Sequence, residues 1–180
     1  DYYASRGLGD VYKRQADGTS AARMREVQLQ NMKDIPNSGM VSTLDIGHPV
    51  FIHPMDKETV GNRLALWALA KTYGKKGFGY ASPIYKSMEI SDNKIYINVE
   101  NAQRGLCPMW TSLKGFEIAG EDKVFYPAFA EIETSTTRLT VSSDKVPHPV
   151  AVRYAYKNYA EANVFNIHGL PLIPFRTDNW

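Results

Sequence analysis

The hydrophobic period of this chain switches once, near residue 74, and that switch limits its fold more than any single motif. Before it, apolar residues recur at helical spacing. After it, short runs with alternate residues apolar are separated by turn residues. Within 180 residues that order implies an α/β segment followed by an antiparallel β part, since each period needs its own packing partner.

The first part reads as helix, strand, loop, helix. Ser20 is placed to cap a helix over residues 21–33, with Met24, Val27 and Met32 as its expected buried side. Residues 34–39 hold a proline, an asparagine and a glycine and predict a stop and turn. Met40-Val41-Ser42-Thr43-Leu44 predicts a buried strand, being too short and too β-branched for a helix. The loop over residues 45–55 carries His48 and His53, each followed by a proline (Pro49 and Pro54). Asp56 then caps an expected helix over residues 57–73. Val60, Leu64, Trp67 and Lys71 share its helical spacing, and Leu66, Leu69, Ala70 and Tyr73 widen the apolar face. Gly74-Lys75-Lys76-Gly77 ends it with glycines and bases. This order suits the last α/β unit of a parallel-sheet domain.

Beyond Gly79 the spacing predicts strands over residues 84–90, 94–99, 116–118, 129–132, 138–141 and 150–156. Ser91-Asp92-Asn93 predicts a tight hairpin between the first two. Six short strands favour an antiparallel sandwich. The prolines of Gly169-Leu170-Pro171-Leu172-Ile173-Pro174 exclude that tail from a central strand, so it is expected to run over another surface.

Composition removes several function classes. The formal charge is +2 and the bases are scattered, so no stripe attracts nucleic acid. No apolar run is long enough to cross a membrane. Cys107 is the sole cysteine, which rules out a disulfide within the chain and a cysteine-based metal site. No pair of histidines has metal-ligand spacing on a helix, and no metal is expected. Eleven tyrosines suit both strands and sugar contact; Tyr85, Tyr96, Tyr126, Tyr154, Tyr156 and Tyr159 are at strand spacing, where packing is the commoner role.

Two stretches stand out. Residues 5–15, ending Asp-Val-Tyr-Lys-Arg-Gln, resemble the in-frame translation of a transposase-type sequencing adapter, so residues 1–20 are expected to be a non-native or disordered N-terminus. The other stretch is Ile52-His53-Pro54. A residue before proline is driven out of the helical region, which places His53 in extended backbone between a strand and a helix. Such loops at strand ends are where α/β sheets build active sites, and an imidazole titrates near neutrality. A loop histidine is nevertheless more often structural, and spacing leaves both readings open. His48, His148 and His168 read as surface or turn residues.

Eight segments, in order, resemble the sialate O-acetylesterase family, carbohydrate esterases of the SGNH/GDSL superfamily. They are Arg25-Glu26-Val27-Gln28, residues 35–40 (Ile-Pro-Asn-Ser-Gly-Met), Asp45-Ile46-Gly47, Ile52-His53-Pro54 with Lys57, residues 60–65 (Val-Gly-Asn-Arg-Leu-Ala), residues 115–122 (Gly-Phe-Glu-Ile-Ala-Gly-Glu-Asp), Val152-Arg153-Tyr154 and Phe175-Arg176-Thr177-Asp178. The resemblance implies an α/β plus all-β chain. Residues 21–76 would be the C-terminal segment of an SGNH (flavodoxin-like) hydrolase domain, and residues 80–180 a jelly-roll-like β-sandwich with a C-terminal tail ending near the natural terminus. It implies hydrolysis of acetyl esters on sialic acid or plant and host glycans, without a cofactor, in the periplasm or outside the cell. Partners would be the O-acetylated carbohydrate and the missing N-terminal part of the same polypeptide, with no nucleic acid and no membrane.

His53 matches the family's general base. Val50 occupies the position, three residues earlier, where the superfamily often has an orienting aspartate. Asp45 is the remaining candidate for that role, beside a structural one at the strand end. The family's serine motif, of Gly-Gln-Ser-Asn type, is absent from these 180 residues, so the chain alone is expected to be inactive. A non-catalytic carbohydrate-binding or structural β-sandwich is the alternative.

Overall fold

The computed structural model describes residues 18–49, 53, 55–109, 111–133 and 137–180. The adapter-like stretch, Val50 and Pro54 lie outside the described residues.

The β part is built from alternation. Strands β1 (Ile84–Ser91) and β2 (Lys94–Glu100) form an antiparallel hairpin closed at Ser91 and Lys94. Asp92 takes φ 55° in its turn, a left-handed conformation that aspartate tolerates better than most side chains. In β2, Ile95, Ile97 and Val99 are buried while Tyr96 and Asn98 face outward. Strand β7 (Arg138–Ser142) pairs with β2 so that Val141 lies opposite Ile95 and Leu139 opposite Ile97. With β6 (Phe129–Ile132) this completes a sheet of order β1-β2-β7-β6.

A second antiparallel sheet has the order β10-β8-β4-β5, from β4 (Phe116–Ala119), β5 (Phe125–Pro127), β8 (Ala151–Tyr154) and β10 (Phe175–Arg176). A two-stranded ribbon joins β3 (Leu106–Cys107) to β9 (Phe165–Asn166). Both four-stranded sheets feed one apolar cluster. Ile95, Ile97, Leu139 and Val141 enter it from the first; Phe116, Ile118, Val152, Tyr154 and Phe175 enter it from the second. Fully burying such a side chain stabilises by about 1.5–3 kcal/mol, so this cluster holds the β part together.

The tail is deeper than its prolines suggested. Residues 170–175 are all buried, and Leu172 is fully enclosed. Its backbone is satisfied outside a regular ladder, with Leu172 N–H donating to Val164 C=O and Ile173 N–H to Pro83 C=O. Only then does the chain reach an edge, as β10 beside β8.

The helical part departs more from expectation. Helices α1 (Ser20–Asp34) and α2 (Lys57–Lys71) are present. The cap of α1 is not the Ser20 side chain. Asn158, from the β part, accepts from the Ala21 amide at 2.8 Å and from the Ser20 hydroxyl at 3.2 Å. Of α1 only Ala22 is buried, whereas Met24 and Val27 are exposed. In α2 the single buried residue is Arg63; Leu64 is 50% exposed. Most of each expected face is therefore uncovered, since a stripe is buried only by what is laid on it; on α2, Gly39 and Tyr80 lie against Trp67 while Leu64 and Leu69 stay exposed. Met40–Leu44 is likewise no strand: residues 40–43 are irregular and Leu44–Ile46 form one 3-10 turn. A β-branched run becomes a strand only beside a partner, and among the described residues none runs alongside. No parallel strand pair occurs among them either.

Candidate active site on the loop from Asp45 to Asp56

The loop is fastened at both ends. At its start, Gly39 lies flat against Trp67 of α2, where a Cβ would sit 1.9 Å from the indole Nε1. Only glycine permits that approach. One helical turn earlier, Arg63 reaches the same segment. Its Nη1 donates to Ser42 C=O at 2.6 Å and to Asp45 Oδ1 at 2.8 Å, while Nη2 donates to Asp45 Oδ2 at 2.6 Å. The two side chains are 7% and 18% exposed. This is a two-pronged, charge-assisted contact in a mostly dry setting, the geometry for which arginine surpasses lysine. At the other end Asp56 caps α2, accepting from Thr59 N–H at 2.9 Å and from its hydroxyl at 2.6 Å. Those bonds, the hydroxyl's first, hold the Asp56 carboxyl below its ordinary range.

His53 sits between these anchors and is exposed to solvent. Among the described residues no hydrogen bond to His53 occurs, and both Asp45 oxygens are engaged by Arg63. His53 and Asp45 thus share one clamped loop but are not brought into contact there. His48 is exposed on the same loop. His148 is an exposed turn residue; His168 lies across Gly79, whose ideal Cβ would fall 2.3 Å from its ring. Arg63 was quoted above only within a pattern, with no role attached. Its signal was a cation next to Leu64, well inside a helix face that carries another cation only at its end, Lys71.

Other residues of the eight segments meet elsewhere. Arg153 grips Asp178 with two bonds, 2.9 and 2.7 Å, and the Asp178 side chain has no exposure. Arg176 pairs with Glu26 of α1 at 3.2 Å, and Tyr156 O–H donates to the same carboxylate at 2.7 Å. Arg25 donates to the Lys157 carbonyl. Burial, then the bond to Glu26, pushes the Tyr156 phenol up to about 12. Together with Asn158, these contacts latch α1 onto the β part. In these contacts Arg176 and Asp178 act as fasteners. Of the tyrosines, Tyr154 is wholly buried against Phe116, Tyr85 and Tyr126 pack on the core, and Tyr96 lies under the Arg138 guanidinium.

Burial raises the Cys107 thiol pKa, and its sulfur lies 3.4 Å from the Asn166 carbonyl, which makes it a poor nucleophile. Among the described residues no group of three His, Cys, Asp or Glu side chains could hold a metal ion. No described helix is long and apolar enough to cross a membrane.

No protein-family model matches the chain. It is similar to the sialate O-acetylesterase of Mus musculus, at 29% identity over 153 residues, covering 78% of this chain and 28% of the mouse protein. Among solved structures it is similar to a carbohydrate acetylesterase from Xanthomonas citri, with a TM-score of 0.80 and 37% identity, covering 88% of this chain and 36% of that one. The chain therefore spans only about a third of the length of each of these two proteins. Both matches agree with the family resemblance carried by the eight segments.

Proposed function

We propose that this sialate O-acetylesterase-like chain is the histidine-bearing part of a serine carbohydrate esterase. The reading rests chiefly on His53, a solvent-facing imidazole on a loop clamped by Arg63–Asp45 at one end and Asp56 at the other. In the reaction, His53 takes the proton of a serine hydroxyl supplied by polypeptide outside this sequence. The serine oxygen attacks the acetyl carbon, and the protonated imidazole returns the proton to the departing sugar oxygen. Water then releases acetate by the same base. Asp45 belongs with the clamp: its charge neutralises Arg63, and His53 works as one half of a dyad or with a backbone carbonyl as its orienting acceptor. Residues 21–76 close an SGNH-type hydrolase domain, and residues 80–180 are the β-sandwich beside it. The uncovered faces of α1 and α2, with Met24, Val27 and Leu64 exposed, are where the rest of that domain would lie. The substrate is an O-acetylated carbohydrate, and no cofactor takes part.

The purified chain should hydrolyse p-nitrophenyl acetate no faster than buffer with free imidazole at the same concentration. Turnover above that background, abolished by His53→Ala, would show that the nucleophile lies within these residues and overturn the division of labour.

A further inference from the structure

A hollow of about 390 Å³ lies on the second sheet, with no residue of the His53 loop among its lining. Its volume falls within the ~300–1,000 Å³ common for small-ligand sites. Gly115, Glu117, Tyr156, Tyr159, Lys157 and Glu161 are among its walls. We propose that this hollow binds one or two rings of a neutral glycan chain. The choice of ligand class rests on the carbohydrate-ester reading above; the site itself rests on the following geometry.

Sugar rings present C–H faces to aromatic rings and hydroxyls to carboxylates, and the hollow offers both. Tyr159 is half-buried, and its hydroxyl has no hydrogen-bond partner among the described residues. Most other tyrosines named above are spent on packing or, like Tyr156, on a bond to Glu26. Glu117 and Glu161 supply acceptor oxygens on the hollow's wall.

Charge selects a neutral sugar. Lys157 Nζ lies 2.8 Å from Glu117 Oε1, and Glu161 is itself paired with Lys114 at 2.8 Å. Among the described lining residues no cation is left over for a carboxylate or phosphate on the ligand.

The walls are also stiff. Ala155, 2% exposed, is held at φ 48°, a conformation costing a non-glycine residue roughly 1–2 kcal/mol. It is fixed by its N–H donating to Gly115 C=O at 2.8 Å. Gly115 has φ 91°, and a Cβ there would come within 3.0 Å of the Glu161 carbonyl. Strain kept at a hollow's rim, with its backbone cross-bonded, is the pre-ordered frame that a weak hydroxyl-rich ligand needs.

The test is an amide-shift NMR titration of the ¹⁵N-labelled chain with xylotetraose, with sialyllactose as charged comparator. Xylotetraose should give saturable shifts at residues 115–117 and 155–161. Tyr159→Ala should weaken that binding by roughly tenfold, the loss expected for one stacked ring, with the circular dichroism spectrum unchanged. Tyr159→Phe, which keeps the ring, should retain most of it. Absence of saturable shifts, binding indifferent to Tyr159→Ala, or tighter binding of sialyllactose would each overturn the proposal. Ester hydrolysis is not read in this titration, so its outcome is separable from that of the esterase reading.

Discussion

Replacing Arg63 should loosen the His53 loop and α2 together. The guanidinium makes three hydrogen bonds of 2.6–2.8 Å, two of them to a carboxylate, in side chains only 7% and 18% exposed. Arg63 is buried but Asp45 is reached by solvent, so losing the guanidinium should cost about 1.5–3 kcal/mol, the worth of a charge-assisted bond. Local opening of α2 should therefore become easier by roughly ten- to a hundredfold in Arg63→Ala, since about 1.4 kcal/mol is tenfold. Arg63→Lys keeps the charge but loses the fork, and should fall between. Asp45→Asn retains one acceptor and should cost about 1.5–3 kcal/mol, the worth of a charge-assisted bond. The double variant should be less unstable than the two losses added, with about 1–3 kcal/mol of coupling. Native-state hydrogen exchange of the α2 amides reads this directly, with the β2 and β7 amides, held by their own ladder, as the internal reference. Acceleration of α2 below tenfold in Arg63→Ala, or additive losses in the double variant, would refute the claim that this pair fixes the loop.

Two other perturbations follow from local electrostatics. Thr59 holds the Asp56 carboxyl below its usual value, so the ionised cap stabilises α2 above the unfolded pKa of about 4 and that support fades as pH falls through the lower folded value; α2 exchange should quicken there in the wild type, and Asp56→Ala should show the faster rate at neutral pH already. Tyr156 behaves oppositely: its phenol is pushed up to about 12 against about 10 unfolded, so its contribution is complete below pH 10 and is lost as pH rises through 12. Tyr156→Phe should remove that alkaline loss of stability, measured by thermal unfolding between pH 9 and 12, and an unchanged profile would contradict the Glu26 contact.

What the sequence made legible was local. The six predicted strands reappear at nearly the same residues because a period of two with Ile, Val and Leu on one face needs no knowledge of the partner. The Asp92-Asn93 turn was readable for the same reason. The short pairs β3, β9 and β10, and the three-residue β5, were not, since two or three residues carry no period. The burial of residues 170–175 was masked by prolines, whose lost ladder bonds are replaced by links to Pro83 and Val164. Met40–Leu44 has the composition of a strand whether or not a neighbour exists, and composition cannot report the neighbour. Nor could spacing show that Arg63 holds Asp45, 18 residues away, or that Asn158 caps a helix 137 residues earlier. Those links depend on how elements dock. Within the candidate site, the exposed, non-helical position of His53 and the Asp56 cap were readable from sequence, whereas the Arg63–Asp45 clamp was visible only in three dimensions.

Acetyl-ester turnover by a longer polypeptide that includes these residues, as the proposed division of labour requires, wild type against His53→Ala, bears on the whole functional reading. If His53 is the general base, kcat should fall by roughly a thousandfold or more, given the 10²–10⁴ typical of positioned proton transfer, with the melting temperature unchanged; Asp45→Asn should keep kcat within about tenfold. A His53→Ala enzyme that turns over at the wild-type rate would contradict it.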